Sequence, residues 1–265
     1  VSGRRFALRR VVAGIGLGLI LASCGGPPPD PRDARVLPPR FADADPHPFD
    51  APAPLAYPVH GIDVSRFQSR IDWSEAKRAG VNFVFMKATE GGDRIDPIFA
   101  GNWDAAAEAG VARGAYHFYY FCTPPEVQAR WFIENVPRTP GALPPVLDLE
   151  WNPFSPTCTY RPPPEIVRAQ ARIFLDIVAR HYGQRPIIYT TPDFWETNDI
   201  AQMGEEFWLR STAATPGELY PGIPWRFWQY SATGRVPGLD GDTDLNAFSG
   251  STGEWRAWLS RRAIR

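Results

Sequence analysis

From residue 58 onward the chain alternates between short apolar runs and longer stretches with helical spacing. Apolar runs predict strands at 59–64, 82–88, 112–121, 146–150, 185–190, 207–210 and 226–230. Apolar residues three and four apart predict helices at 73–80, 98–110, 124–136, 164–182 and 254–261. The first two helices end at a glycine and the third has proline at its start. Run 82–88 is apolar on both faces, which suits a strand covered by helices. Strands followed by helices, then strands with little helix between them, predict an α/β fold. We expect a distorted TIM-like β/α barrel with an incomplete set of outer helices. An open doubly wound sheet is the alternative. No Gly-rich phosphate loop follows the first strand, which counts against its nucleotide-binding form.

The first 57 residues break this pattern. Arg4, Arg5, Arg9 and Arg10 precede an uncharged stretch over 11–23, which is short for a membrane span. Leu21-Ala22-Ser23-Cys24 follows it and resembles a bacterial lipobox. Residues 1–23 are therefore expected to be a lipoprotein signal peptide, with Cys24 the lipidated residue. The segment 24–57 is rich in proline and is expected to be an extended, disordered tether. A catalytic barrel is expected over 58–265. These features predict an exported protein, lipid-anchored in the cell envelope and facing the periplasm. Gly25 directs the expectation to the outer membrane, because aspartate commonly retains lipoproteins at the inner one.

Charge and cysteines narrow the picture further. The whole chain carries a net charge of −1; without residues 1–23 it has 24 basic and 29 acidic residues, a net of −5. That argues against a nucleic-acid partner. Beyond Cys24 only Cys122 and Cys158 remain, a candidate disulfide in an oxidising compartment, with a pair of free buried thiols as the alternative. The histidines at 47, 60, 117 and 181 lack ligand spacing, so no metal and no cofactor are expected. A monomer is expected. Ten Trp, nine Tyr and sixteen Phe would serve a sugar-binding cleft, although a large core also uses such residues.

The most informative stretch is Pro144-Pro145-Val146-Leu147-Asp148-Leu149-Glu150-Trp151. Residues i and i+2 on a strand share a face, so Asp148 and Glu150 point the same way. Two buried carboxyls close together raise one another's pKa, and one keeps its proton near neutrality. General acid catalysis at a glycosidic oxygen needs such a group. A salt-bridged or capping pair is the plainer alternative. Barrel enzymes place their chemistry at the C-terminal ends of strands. There the sequence also puts Asp63, Glu90, Tyr116, Tyr189 and Trp228, with Asp244 following.

Seven motifs in order carry a family resemblance. They are Gly61-Ile62-Asp63-Val64-Ser65, Phe85-Met86-Lys87-Ala88-Thr89-Glu90-Gly91, Gly114-Ala115-Tyr116-His117-Phe118, Asp148-Leu149-Glu150, Ile188-Tyr189-Thr190, Trp228-Gln229-Tyr230 and Asp244-Leu245-Asn246. Together, over about residues 58–259, they resemble the glycoside hydrolase family 25 lysozymes, the Chalaropsis-type muramidases. The resemblance implies a peptidoglycan glycan strand as partner and hydrolysis of its β-1,4 bond between N-acetylmuramic acid and N-acetylglucosamine. It implies Glu150 as general acid/base, Asp148 as its partner carboxylate, Asp63 and Asp244 as further catalytic acids, and Tyr116 beside the reacting sugar. Tyr189, Trp228 and Trp151 are further expected substrate-binding residues. Spacing leaves a retaining and an inverting outcome open; assistance by the sugar's own 2-acetamido group is the favoured route. A lipid-anchored wall-binding module without catalysis is the rival function. One departure stands out. Trp208-Leu209-Arg210-Ser211 replaces an expected Trp-x-Ala segment, so Arg210 would reshape the cleft floor or pair with an acid.

Overall fold

A strand closed into a barrel sends alternate side chains inward, so the barrel's interior is written with period two. The computed structural model describes residue 30, residues 34–68 and residues 70–265. Eight strands close a barrel: β1 (His60–Val64), β2 (Phe83–Glu90), β3 (Ala112–Phe118), β4 (Val146–Leu149), β5 (Ile187–Thr190), β6 (Phe207–Arg210), β7 (Phe227–Arg235) and β8 (Thr243–Phe248). The first seven run parallel to one another. Strand β8 runs antiparallel to both β7 and β1 and closes the ring. The reason is chain length. Residues 236–242 join β7 to β8 in too few residues for the crossover that a parallel pair requires. The expected barrel is present, and its helices thin out towards the C-terminal half.

The helices are α1 (Trp73–Arg78), α2 (Phe99–Glu108), α3 (Pro125–Asn135), α4 (Pro164–Tyr182), α5 (Pro192–Asn198), α6 (Pro216–Leu219) and α7 (Thr252–Arg262). Helix α4 keeps a regular apolar stripe of Val167, Ala171, Phe174, Leu175, Val178 and Tyr182, and stops at Gly183 in the left-handed region. Helices α5 and α6 escape the sequence reading because seven and four residues are too short to show a period. Strand β8 escapes it for another reason. Its inward residues Asp244 and Asn246 are polar while Leu245 and Ala247 face out, which is the reverse of the usual strand signal. The aromatic run 112–121 leaves the sheet after Phe118, and Tyr119 and Phe121 pack on Phe174 and Phe194 instead.

Two cores result. Outside the barrel, Val84, Met86, Leu147 and Leu149 meet the helices. Inside, Phe83, Phe85, Trp208, Phe227 and Phe248 fill the lower half, and Trp255 and Trp258 of α7 stop the bottom. Phe85 stacks on Trp208 with ring centroids 4.6 Å apart. Gly114 makes room for it: a Cβ there would lie 2.9 Å from the Phe85 ring. Only the upper layer of the interior is left for polar groups.

The chain before the barrel is not an unpaired tether where it is described. Leu37 and Asn82 exchange two hydrogen bonds of 2.9 Å, the Arg40 N–H donates to the Ala79 carbonyl, and Ala42–Asp43 pairs with Gly234 and Arg235 of β7. Phe49 sits edge-on to Trp228 at 5.0 Å. Proline content suggests an extended chain, and much of it is extended; the Ala44 N–H donates to the Thr233 carbonyl of β7, and aromatics of the arm pack on the barrel flank. The expected signal peptide and Cys24 lie outside the described residues.

Trp255 is 2 % exposed and packs on Phe83, Phe248 and Trp258. Trp255→Ala is expected to lower stability by about 3–5 kcal/mol, read as a shifted urea midpoint with an unchanged slope.

Candidate active site

The upper layer of the barrel opens into a cleft of about 290 Å³. Each strand delivers one or two side chains to it. β1 brings Asp63, β2 Lys87, β3 Tyr116 and Phe118, β4 Asp148 with Glu150 just beyond its end, β5 Tyr189, β6 Trp208 and Arg210, β7 Gln229 and β8 Asp244. The alternation that put Phe83 and Phe85 inside puts Lys87 inside one layer higher. Asp244 arrives by the antiparallel strand, so it enters at the start of β8 rather than at a C-terminal end, directly paired with Asp63.

The four expected acids therefore converge, and burial dominates their chemistry. Asp148 is 5 % exposed. Burial, and then repulsion from Glu150, hold its carboxyl well above the usual range. Glu150 is pushed up to about 7 by burial, against the pull of Arg210 and Lys87. Burial and then Asp63 raise Asp244 to about 8. Burial also raises Asp63 to about 6, although its Oδ2 accepts hydrogen bonds from Asn246 Nδ2 at 2.7 Å and Gln229 Nε2 at 3.0 Å. Those two donors are themselves fixed. The Tyr189 hydroxyl donates to Gln229 Oε1 at 2.8 Å, and Trp208 Nε1 donates to Asn246 Oδ1 at 2.7 Å. Asp63 is thus held by a network reaching four further strands. By contrast Asp148 Oδ1 is buried with no hydrogen-bond partner among the described residues.

Glu90, the remaining strand-end acid, is engaged elsewhere. Its Oε2 accepts from Lys87 Nζ at 2.6 Å and its Oε1 accepts from the Tyr120 hydroxyl, and these contacts outweigh burial to hold it below its ordinary value.

One expected sugar-binding residue is corrected. Trp228 faces out of the barrel, fully buried, with its Nε1 donating to the Ser211 carbonyl and its ring covered by Phe49 and Tyr57. Its neighbour Gln229 has the inward position, and period two allows only one of them. Trp151 packs on Phe194 and Phe121 with Arg161 over its ring, and stays half-buried in a second small hollow that Glu150 also lines. Tyr116 and Tyr189 do line the cleft. Sequence reasoning missed Lys87, Gln229 and Phe118. Lys87 carried a signal, being the only charge in the apolar run 82–88. Phe67, 76 % exposed at the rim, carried none. A larger hollow of about 450 Å³ lies beneath the N-terminal arm, but it is mostly apolar and contains none of the four acids.

The loops after β3 and β4 are joined by a disulfide between Cys122 and Cys158. Among the described residues no group of His, Cys, Asp and Glu has the arrangement to hold a metal ion.

Comparison with known proteins matches this arrangement. The model for "Glycosyl hydrolases family 25" matches residues 62–239. The chain belongs to glycosyl hydrolase family 25. Lysozyme M1 of Streptomyces globisporus is 37% identical over 219 residues, spanning 77% of this chain and 72% of that protein. The N,O-diacetylmuramidase of Chalaropsis sp is 31% identical over 186 residues, 65% of this chain and 88% of that one. A family 25 glycosyl hydrolase from Bacillus anthracis superposes with a TM-score of 0.70 at 31% identity, covering 82% of this chain and 98% of that structure. This family 25 chain thus has the fold and four converging acids that its sequence motifs implied.

An acid with a raised folded pKa holds its proton longer in the folded than in the unfolded chain. Stability then falls as pH rises from about 4 through the folded value. Glu150→Gln removes that penalty. The variant is expected to melt with the wild type below about pH 4 and a few degrees above it at pH 8, a gain on the order of 1 kcal/mol. A variant less stable than wild type at pH 8 in thermal melts would contradict the electrostatic assignment.

Proposed function

We propose that this protein is a peptidoglycan muramidase that cleaves the β-1,4 bond between N-acetylmuramic acid and N-acetylglucosamine. The observation that carries the reading is the pair at the end of β4: Glu150, pushed up to about 7 by burial, and Asp148, whose buried Oδ1 has no partner among the described residues. A general acid must hold its proton at working pH, and burial raises Glu150 towards that condition. An orphaned buried acceptor calls for a donor. The N–H of the sugar's 2-acetamido group is such a donor, on the carbon next to the one attacked. The names of the two curated relatives above, a lysozyme and an N,O-diacetylmuramidase, support the same substrate.

In this mechanism Glu150 gives its proton to the glycosidic oxygen as the C1–O bond breaks. The acetamido carbonyl oxygen attacks C1 from the opposite face; the acetamido N–H, donating to Asp148, draws its raised pKa down, and in its ionised form Asp148 offsets the positive charge of the cyclic intermediate. Glu150, now ionised, takes a proton from water. That water attacks C1, opens the ring and leaves the configuration retained. Asp63 and Asp244 bind sugar hydroxyls and keep the field that holds Glu150 protonated. Tyr116 and Tyr189 border the reacting ring. A wall-binding module without catalysis has no use for four desolvated acids, each a burden on folding. The reading extends to the envelope: export, lipid on Cys24 and residence at the outer membrane complete the proposal.

The test is digestion of purified sacculi by the full chain, followed by reduction and mass analysis. Products ending in reducible N-acetylmuramic acid are expected. Glu150→Gln should lower kcat by a factor of about 10²–10⁴. Sacculi that bind the protein yet remain intact would overturn the reading in favour of the binding module. Because Glu150 must be protonated, kcat/KM is expected to fall as pH rises past about 7. A rate that instead climbs steadily to pH 9 would exclude Glu150 as the acid.

A further inference from the structure

Arg210 is the cleft's departure from the family pattern, and its surroundings give it a task. It ends β6, where its backbone pairs with Gln229 and its carbonyl accepts the Tyr220 hydroxyl at 2.7 Å. Its side chain lines the cleft with Asp63, Asp148, Glu150 and Asp244. A guanidinium carries five donors in a planar fork. Among the described residues, none of those of Arg210 meets a hydrogen-bond acceptor or an acid at ion-pair distance. The cleft's other cation is engaged: Lys87 holds Glu90 at 2.6 Å and lies 4.6 Å over the Phe118 ring. One cation in a cleft of four acids therefore keeps its whole fork for a ligand, and an anion is what a guanidinium fork fits.

Resting on the muramidase reading, the substrate supplies that anion. Muramic acid bears a lactyl ether on C3. Its carboxyl is a neutral amide when a stem peptide is attached and a free carboxylate when the peptide has been removed. Whichever of the four acids is ionised would turn the carboxylate away; a cation with unused donors reverses that preference. The lactyl group belongs to the ring whose C1 faces Glu150, so it enters the cleft with that ring. The stem peptide's own carboxylates lie residues further along and outside a hollow of this size. We infer that Arg210 binds the free lactyl carboxylate of the muramic acid at the cleavage point and makes peptide-stripped glycan the preferred substrate. The enzyme would then act after an amidase that cuts the bond between lactyl group and peptide.

The experiment compares three glycans prepared from one batch of sacculi: intact, stripped of peptide by an amidase, and stripped with the lactyl carboxyls converted to methylamides. The full chain and Arg210→Gln are assayed on each by new reducing ends. Wild type is expected to cut the stripped glycan with a kcat/KM about 10–100 times that on the methylamide form, the range for a hydrogen bond to a charged group. In Arg210→Gln that ratio should fall to about one. A wild-type ratio near one overturns the inference without using any variant. So does a variant that loses rate equally on both stripped forms, which would confine Arg210 to the electrostatics of the acids. A preference for intact glycan that depends on Arg210 overturns it in favour of a peptide carboxylate. No cleavage of any glycan brings down the muramidase reading together with this one, whereas cleavage without preference brings down this one alone.

Discussion

Four carboxyls desolvated in one layer of a closed barrel are the constraint on which this structure turns. Each loses hydration on burial, and each raises its neighbours' pKa further. Such a layer persists only on a support that does not yield. The support is the aromatic filling below it, where Phe83, Phe85, Trp208, Phe227 and Phe248 occupy the lower interior and Trp255 and Trp258 close the floor. Trp208 belongs to both layers. Its ring stacks on Phe85 while its Nε1 donates to Asn246, which in turn donates to Asp63. Packing energy from the floor is thus passed, by a single side chain, into the orientation of an acid.

The antiparallel closing strand has a consequence of the same kind. Had β8 run parallel, its upper end would be Phe248 and the acid Asp244 would sit at the floor. A seven-residue connection reverses the strand and sets Asp244 opposite Asp63. The loss of outer helices is therefore tied to the site: the short connection that leaves no room for a helix is what brings the fourth acid to the cleft.

Much of this was legible in the sequence because the barrel's apolar strands and amphipathic helices obey their periods. Helix 164–182 is read to the residue, since six buried positions over five turns leave little ambiguity. The pairing of Asp148 with Glu150 follows from alternation alone. The limits have the same origin. Strand β8 inverts the usual signal by facing polar residues inward, so a reader of hydrophobicity passes over it. Trp228 and Gln229 are adjacent, and choosing which faces the cleft requires the strand's phase. Phe227 inside the barrel fixes it, but Phe227 looks no more apolar than Trp228. The arm before residue 58 reads as tether because proline density speaks for extension and says nothing about docking. Only Phe41, Phe49 and Tyr57, spaced through it, hint that it covers something.

The polar side of the cleft shows how the acids differ despite a shared layer. Asp63 is tied by two amide donors that are each held from behind, so its position is set before any ligand arrives. Asp148 is buried more completely than Glu150, yet one of its oxygens accepts nothing from the described residues. A fold selected for stability alone would pair that oxygen or replace it, because a buried unsatisfied acceptor is among the more costly features a core can carry. Set beside the network around Asp63, this oxygen supports the division of roles that the muramidase proposal uses, with one acid positioned by the protein and the other open to a ligand.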